Sequence, residues 1–241
     1  MTARRRLLVV GASSGIGRAV AAAAADDGWR VAAAARRADR LEELAASRKR
    51  ITAVPADVRN AHACRWLVEA AVVALDGLDA IVYAAGVVPL RPLTAVDAPT
   101  WKSVLDTNLV GASLVTAAAI PHLSERGGHA IYLSSDSVGR PLPGLVPYAA
   151  SKAGLEETVR GWRAEHPEVK FTTLVVGPTV TGMADGWDQA EMQSAFDRWA
   201  RDGYAQGRPD PQSPEVVAKS VVELLDDPDP PATARAVPGE D

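Results

Sequence analysis

The chain has 241 residues, 47% of them hydrophobic, with 26 basic and 30 acidic side chains and a net charge of −4. This length suits one α/β domain around a single core, and charges so evenly mixed leave no footprint for nucleic acid or an anionic membrane. Cys64 is the only cysteine, which excludes an intramolecular disulfide or a cysteine-rich metal site and points to a reducing cytoplasm.

The N-terminus imitates a signal peptide, with Arg4, Arg5 and Arg6 before an apolar run, but Gly11 ends that run too early. Asp26, Asp27 and Arg30 interrupt the Ala-rich segment that follows, so no unbroken apolar run of membrane-spanning length is expected.

The first predicted strand, Leu7–Val10, leads into Gly11-Ala-Ser-Ser-Gly15-Ile-Gly17 and then a helix over Ile16–Asp26. Glycines between a strand and a helix allow a tight turn, while free amides and the helix dipole attract a pyrophosphate. Gly11, Ser13, Ser14, Gly15, Ile16 and Gly17 are therefore cofactor-binding candidates. Strand two, Arg30–Ala35, ends at Arg36 and Arg37, where the adenosine ribose of a dinucleotide is expected. Arginine there pairs with the 2′-phosphate of NADP, whereas an acid would favour NAD. Ser13 adds a hydrogen bond to the same phosphate.

A helix over Arg40–Ala46 precedes strand three, Ile51–Pro55, and the pair Asp57-Val58. Asp57 either contacts an adenine ring or caps the next helix, Ala61–Leu75. After strand four, Ala80–Tyr83, the small residues Ala84, Ala85 and Gly86 let backbone approach a cofactor. A helix over Trp101–Leu123 carries Asn108, whose amide needs partners in so apolar a setting. Strand five is Ala130–Leu133.

The helix over Tyr148–Glu165 opens with Tyr148 and Lys152, one turn apart on one face. A phenol beside an ammonium ionises more easily and suits acid/base work. Chance alone yields such a pair at roughly 8%, so its surroundings must agree. Strand six is Phe171–Val176. From 182 to 214 the alternation stops in favour of a polar, aromatic, Gly/Pro-rich segment, as in a substrate lid. A last helix starts at Ser213-Pro214 and ends near Asp226. The tail from about Asp227 is expected to be flexible apart from a short strand at Ala234–Val237. Strands alternating with helices predict a single domain over 1–241, a doubly wound parallel sheet (Rossmann fold) with helices on both faces.

The glycine spacing, Asp57-Val58, Asn108, Ser135 and Tyr148-x-x-x-Lys152 occur in the order found in the short-chain dehydrogenase/reductase family, and from Leu7 to Asp226 the chain resembles that family. The resemblance implies a catalytic set of Asn108, Ser135, Tyr148 and Lys152. Tyr148 would exchange a proton with the substrate while hydride moves to or from nicotinamide. Ser135, thirteen residues earlier, would hold the substrate oxygen, with Ser137 a weaker candidate and Ser134 closing the strand. Lys152 would grip the nicotinamide ribose and lower the tyrosine pKa, and Asn108 would keep a water in line with Lys152. In Val176-Gly177-Pro178-Thr179-Val180-Thr181, the resemblance assigns Gly177 and Thr181 to the nicotinamide end, with Thr179 as the alternative.

Three departures stand out. Gly139 follows Ser135 by four residues where the family spacing is three. Tyr83-Ala84 replaces an asparagine pair that helps tie the central strands, and the C-terminal glycine-rich strand is abbreviated, which bears on tetramer contacts. His62, His122, His129 and His166 lack metal-ligand spacing and are read as structural, and Trp187 is the aromatic expected to line a pocket. The function implied is an NADP(H)-dependent carbonyl reductase or alcohol dehydrogenase that is cytoplasmic and homo-oligomeric, acts on a small apolar molecule and needs no metal. A catalytically silent NADP sensor of the same fold is the alternative.

Overall fold

The computed structural model describes residues 5–238. Seven parallel strands run in the order β3-β2-β1-β4-β5-β6-β7: β1 Arg6–Val10, β2 Arg30–Ala35, β3 Ile51–Pro55, β4 Ala80–Tyr83, β5 His129–Leu133, β6 Lys170–Val176 and β7 Thr233–Ala236. The helices are α1 Gly15–Asp26, α2 Ala38–Ser47, α3 Ala61–Leu75, α4 Ala98–Leu105, α5 Gly111–Ser124, α6 Val146–Glu165, α7 Gln189–Arg201 and α8 Pro214–Asp226. Successive side chains on a strand point to opposite faces, so β1 splits its apolar run between two cores. Leu7 and Val9 pack with residues of α1, α2 and α8, while Leu8 and Val10 pack with residues of α3, α5 and α6. Strands covered on both sides read as continuous apolar runs, and this is why β1, β2 and β4 were legible.

The order reverses between β1 and β4. A crevice opens at such a switch point beyond the carboxyl ends of the strands, and the Gly11 turn and Ala84–Gly86 flank it.

Four features differ from the sequence reading. The predicted helix Trp101–Leu123 forms but is not regular, because a π turn at Asp106–Val110 joins α4 to α5. The 27-residue helical stretch Ala98–Ser124 is also long and apolar enough by length and composition to cross a membrane, contrary to expectation; half of its most apolar window is buried inside the fold. The 182–214 segment is not irregular throughout, since it carries α7, capped by Asp188 Oδ1 accepting from Ala190 N and Glu191 N at 2.9 and 3.0 Å. Finally, the chain after Asp227 is tied down rather than loose. Lys170 Nζ donates to Pro228 O at 2.6 Å, Arg163 to Ala232 O at 2.8 Å, and β7 pairs with β6 in the register Val176↔Ala236. The strand lies one residue earlier than expected, and residues 239–241 of the tail lie outside the described residues.

His129 helps hold that linker. Thr172 Oγ1 donates to Pro231 O at 2.8 Å, so it accepts from His129 Nε2 at 2.9 Å, which places a proton on Nε2. Burial, with Lys170 adding to it, pushes the His129 pKa down to about 4. A folded pKa below the unfolded value of about 6.5 means that stability is complete above pH 6.5 and is lost as pH falls through 4. The loss approaches about 3 kcal/mol for this group. We expect urea midpoints measured from pH 7 to pH 4 to fall more steeply for the wild type than for His129→Gln; parallel profiles would refute the assignment.

Candidate active site

The crevice is a cavity of about 570 Å³, within the range of cofactor sites. Its lining includes Gly11, Ser13, Ser14, Gly15, Ile16, Gly17, Arg36, Arg37, Asp57, Val58, Ala84, Ala85 and Gly86, all expected from the sequence. The glycines are sterically required. Gly11 has φ +96°, and a Cβ there would meet Ala85 N at 2.6 Å; a Cβ on Gly17 would strike the Gly11 carbonyl. Backbone is thus pressed against backbone. Ser14 N-caps α1 without a side-chain cap bond, so the first amides of the helix are not met by that side chain.

Arg37 reaches over this turn, donating to Ser14 Oγ at 2.6 Å and to Ser13 Oγ at 3.1 Å. A guanidinium beside two hydroxyls at the ribose end is a donor set suited to a phosphate. Asp57 does not cap α3. Asn60 does, accepting from His62 N and Ala63 N at 2.9 and 3.1 Å, while Asp57 pairs with Arg59 at 2.6 Å. The hydrogen bond from Arg59 holds the Asp57 carboxyl below its ordinary pKa.

None of the four proposed catalytic residues lines this cavity, but Asn108 and Lys152 stand next to Gly86 at its edge. A Cβ on Gly86 would lie 3.6 Å from Asn108 Oδ1, 3.8 Å from Met183 Cε and 3.9 Å from Lys152 Nζ. Asn108 is fully buried in the π turn. Its Oδ1 accepts from Val87 N at 2.8 Å, and its Nδ2 donates to Val87 O at 3.0 Å and Ser151 Oγ at 2.9 Å. Ser151 Oγ in turn donates to Tyr148 O at 2.7 Å.

Lys152 Nζ donates to Leu133 O at 2.7 Å and lies 5.7 Å from the centre of the Tyr148 ring. Burial pushes its pKa down to about 8. The expected lowering of the tyrosine pKa is not found. Burial pushes the half-buried Tyr148 phenol up to about 12; a hydrogen bond with Ser135 pulls it back and the Asp136 charge adds to the rise. Spacing showed the lysine, but it could not show how much water both groups lose.

Besides its hydrogen bond with the Tyr148 phenol, Ser135 Oγ accepts from Ser137 N at 3.1 Å and makes a long contact to Asp136 Oδ1 at 3.4 Å. Ser137 Oγ is buried without a partner. The longer spacing to Gly139 is absorbed by two overlapping turns, Val138 N to Ser135 O and Arg140 N to Ser137 O, with Gly139 at φ +76°. Ser134 does close the strand, through its N–H to Leu174 O, and its hydroxyl donates to Glu156 at 2.6 Å.

Thr181 lines the cavity and caps a short 3₁₀ turn at Gly182–Ala184. Gly177 and Thr179 do not line it. Gly177 packs under Val237 and Pro238, and Thr179 Oγ1 donates back to Gly177 O at 2.9 Å.

The segment after Thr181 is closed over this end. Trp187 lines the cavity, as expected, and donates from Nε1 to Val88 O at 2.7 Å; Trp199 donates to Pro143 O at 2.9 Å. Leu90, Leu145 and Trp199 form a small third core beneath α7. Arg208, near the end of the segment, pairs with Asp136 at 2.8 Å, both mostly buried. Asp136, Ser151, Arg208, the α4 residues Thr100 and Ser103, and Thr107 of the π turn were missed as site residues. Ser151 had a signal, standing one residue before Lys152 on the helix of Tyr148; the Asp136 and Arg208 partnership spans 72 residues and had none.

Residues 5–192 match the sequence profile of the short chain dehydrogenase family. The chain is 34% identical over 229 residues to the glycine betaine reductase ATRR of Emericella nidulans, covering 92% of this chain and 18% of that protein. It is 34% identical to the 11-beta-hydroxysteroid dehydrogenase-like protein 3 of Arabidopsis thaliana, covering 75% of this chain and 61% of the relative. With sulfoacetaldehyde reductase 2 of Chromohalobacter salexigens the identity is 32%, over 79% of this chain and 80% of the relative. The crystal structure of a short chain dehydrogenase from Burkholderia cenocepacia in complex with NADP superposes with a TM-score of 0.81 at 27% identity, covering 96% of this chain and 95% of the other. The chain spans less than two thirds of the length of the first two of these relatives. Its match over most of its length, on a seven-stranded parallel sheet with a glycine turn at the switch point, makes it a member of the short-chain dehydrogenase/reductase family.

Proposed function

We propose that this protein is an NADP(H)-dependent oxidoreductase that interconverts a carbonyl and an alcohol, with Tyr148 as general acid/base. The observation that carries the reading is Gly86, which lines the cavity and lies within 4 Å, at its Cβ position, of both Asn108 and Lys152. One hydrogen in place of a side chain leaves the edge of the cofactor groove open towards Asn108 and Lys152.

The bound dinucleotide would supply or accept the hydride at the substrate carbon. Gly11, Gly15, Gly17 and the first amides of α1 would hold its pyrophosphate, Arg36 and Arg37 with Ser13 its 2′-phosphate, and Thr181 its nicotinamide end. Asp57 and Val58 border the groove where the adenine would rest. Lys152 is mostly protonated at neutral pH, with a pKa of about 8, and would hold the ribose hydroxyls. Tyr148, at about 12, keeps its proton at pH 7, so it is set to give that proton to a carbonyl oxygen in the reductive direction. The Ser135 hydroxyl, held beside the Tyr148 phenol and only weakly bound to Asp136, would hold the same oxygen. Val88, Pro89, Met183 and Trp187 border the cavity and fit an apolar carbonyl compound. The segment over 182–214 acts as the substrate lid of a single domain. The buried Cys64 thiol is pushed up to about 11 by burial, which suits an unreactive cysteine in a cytoplasmic homo-oligomer.

Two measurements test the reading. A panel of aldehydes and ketones followed by NADPH oxidation should yield at least one turned-over compound; a protein that binds NADPH and reduces none of them is the silent sensor. A hydrogen bond to a charged group contributes about 1.5–3 kcal/mol, so Arg37→Ala should weaken NADPH binding about 10- to 100-fold and leave NADH binding nearly unchanged. Equal losses for both cofactors, or tighter NADH than NADPH binding in the wild type, would overturn the NADP assignment.

A further inference from the structure

The π turn at Asp106–Val110 is an extra residue inserted into a buried helix, and it costs one α-helical hydrogen bond. Gly111 N–H, which in an α-helix would bond to Thr107 O, reaches one residue further back to Asp106 O. Thr107 O therefore needs another donor. Tyr83 supplies it from β4, where its Oη donates to Thr107 O at 2.6 Å with the side chain fully buried. Tyr83 stands where the family has an asparagine.

Gly111 makes room for this bond. A Cβ there would lie 2.8 Å from Tyr83 Oη and 2.9 Å from Val58 O. Asn108 follows Thr107 directly. Both of its amide protons are used, on Val87 O and Ser151 Oγ, and one acceptor site of Oδ1 is taken by Val87 N–H. A single acceptor site is left for the Gly86 and Lys152 side.

We propose that Tyr83 is a positioning residue for the active site: its phenol clamps the carbonyl freed by the π turn and thereby fixes the direction of the Asn108 amide. The inference rests on the proposed catalytic role of Asn108. A helix carrying an inserted residue has a competing register, in which the insertion moves along the helix and Asn108 rotates away from Val87 and Ser151. The Tyr83 bond reaches a carbonyl that is unpaired only in the functional register, so it favours that register specifically.

Tyr132 provides a matched control. It is paired with Tyr83 across β4 and β5, is 1% exposed, and makes one phenolic bond of 2.6 Å, to the Thr116 side chain of α5 rather than to the π turn. Tyr83→Phe and Tyr132→Phe each remove one buried hydroxyl, and thermal melts should show comparable losses. Hydrogen exchange should differ: amides 106–111 exchange at least about 10-fold faster in Tyr83→Phe and at the wild-type rate in Tyr132→Phe. With the best carbonyl acceptor of the NADPH panel, kcat should fall about 10- to 100-fold in Tyr83→Phe with KM changed less than about twofold, the scale seen when an orienting partner is lost, and stay unchanged in Tyr132→Phe. Adding Tyr83→Phe to Asn108→Ala should lower kcat no further. Gly111→Ala, which displaces the phenol without deleting it, should reproduce the faster exchange and the kcat loss, and serves if Tyr83→Phe does not fold. Equal behaviour of the two phenylalanine variants, wild-type kcat in Tyr83→Phe, or additive losses with Asn108→Ala would overturn the inference. Full activity in Asn108→Ala would instead overturn the catalytic reading beneath it, while the exchange comparison would still report on the clamp.

Discussion

Tyr148→Phe loses about 10³-fold or more in turnover of any carbonyl acceptor and binds NADPH within about twofold of the wild type. The substitution removes one oxygen and keeps the ring that packs beside Lys152. A positioned general acid contributes about 10² to 10⁴, and no second proton donor with the same reach is evident among the described residues. Ser135 and Ser137 carry hydroxyls of far higher pKa, and the Lys152 ammonium, which donates to Leu133 O at 2.7 Å, would have its other protons on the ribose hydroxyls. Cofactor binding survives because Gly11 to Gly17, Arg37 and Ala84 to Gly86 supply the lining of the groove and Tyr148 does not. Stopped-flow NADPH oxidation and fluorescence titration give the two numbers. Retained turnover would remove Tyr148 from the mechanism, and lost cofactor binding would make it a structural residue of the groove.

Asp79→Ala lowers stability by about 3–5 kcal/mol, the range for breaking a buried ion pair by deleting one partner. Arg6 is 1% exposed. Its guanidinium donates from Nε to Asp79 Oδ2 at 2.7 Å and from Nη2 to Asp79 Oδ1 at 2.5 Å, with a further short bond to Asp76 O. Gly77, at φ +119°, leaves the space the guanidinium fills. Without the carboxylate, a buried positive charge faces one carbonyl and little water. The melting temperature of a domain this size should drop on the order of 10 °C. Arg6→Met in the same background should recover most of the loss, because an apolar pair of similar volume is often as stable as the ion pair it replaces. A single variant within about 1 kcal/mol of the wild type would show that the pair is solvated.

The parts legible in the sequence were those that repeat a local pattern. Strands β1 to β6 fell within one residue of their predicted starts; the misses were Arg6, His129 and Lys170, polar residues whose backbone joins the ladder although their side chains do not look like strand. Arg6 belonged to the run that resembled the basic end of a signal peptide, and only its partner 73 residues away makes it a core residue. The π turn left no trace, since an inserted residue changes the phase of a helix without changing its composition. α7 did leave one: Asp188 as a cap, followed by Met192, Ala195, Phe196 and Trp199 at helical spacing, but the charges between them hid the stripe. Cofactor residues next to glycines were readable because close backbone approach demands glycine. Gly177 and Thr179 were assigned by analogy of order, and the local path of the chain turned both away from the cavity. The sign of the Tyr148 shift was misjudged because spacing along a helix fixes neighbours but not hydration.

The segment between Val180 and Gln212 enters and leaves the fold through one seam. Val180 N donates to Gln212 O at 2.8 Å, Gln212 N to Pro178 O at 2.9 Å, and Gln212 Nε2 to Ala236 O at 2.6 Å. Its two ends are thus stitched to each other and to the last strand. What lies between can change in length at small entropic cost, about 0.6 kcal/mol for each doubling, without moving a strand or Tyr148. The chain is built like a tool with an exchangeable head, in which residues 184–207 can be exchanged as a cassette while Thr181, the glycine turn and the Arg208–Asp136 pair beside Ser135 stay where they are. With the proposed lid role, descent within the family and directed evolution in the laboratory would share one route to a new substrate.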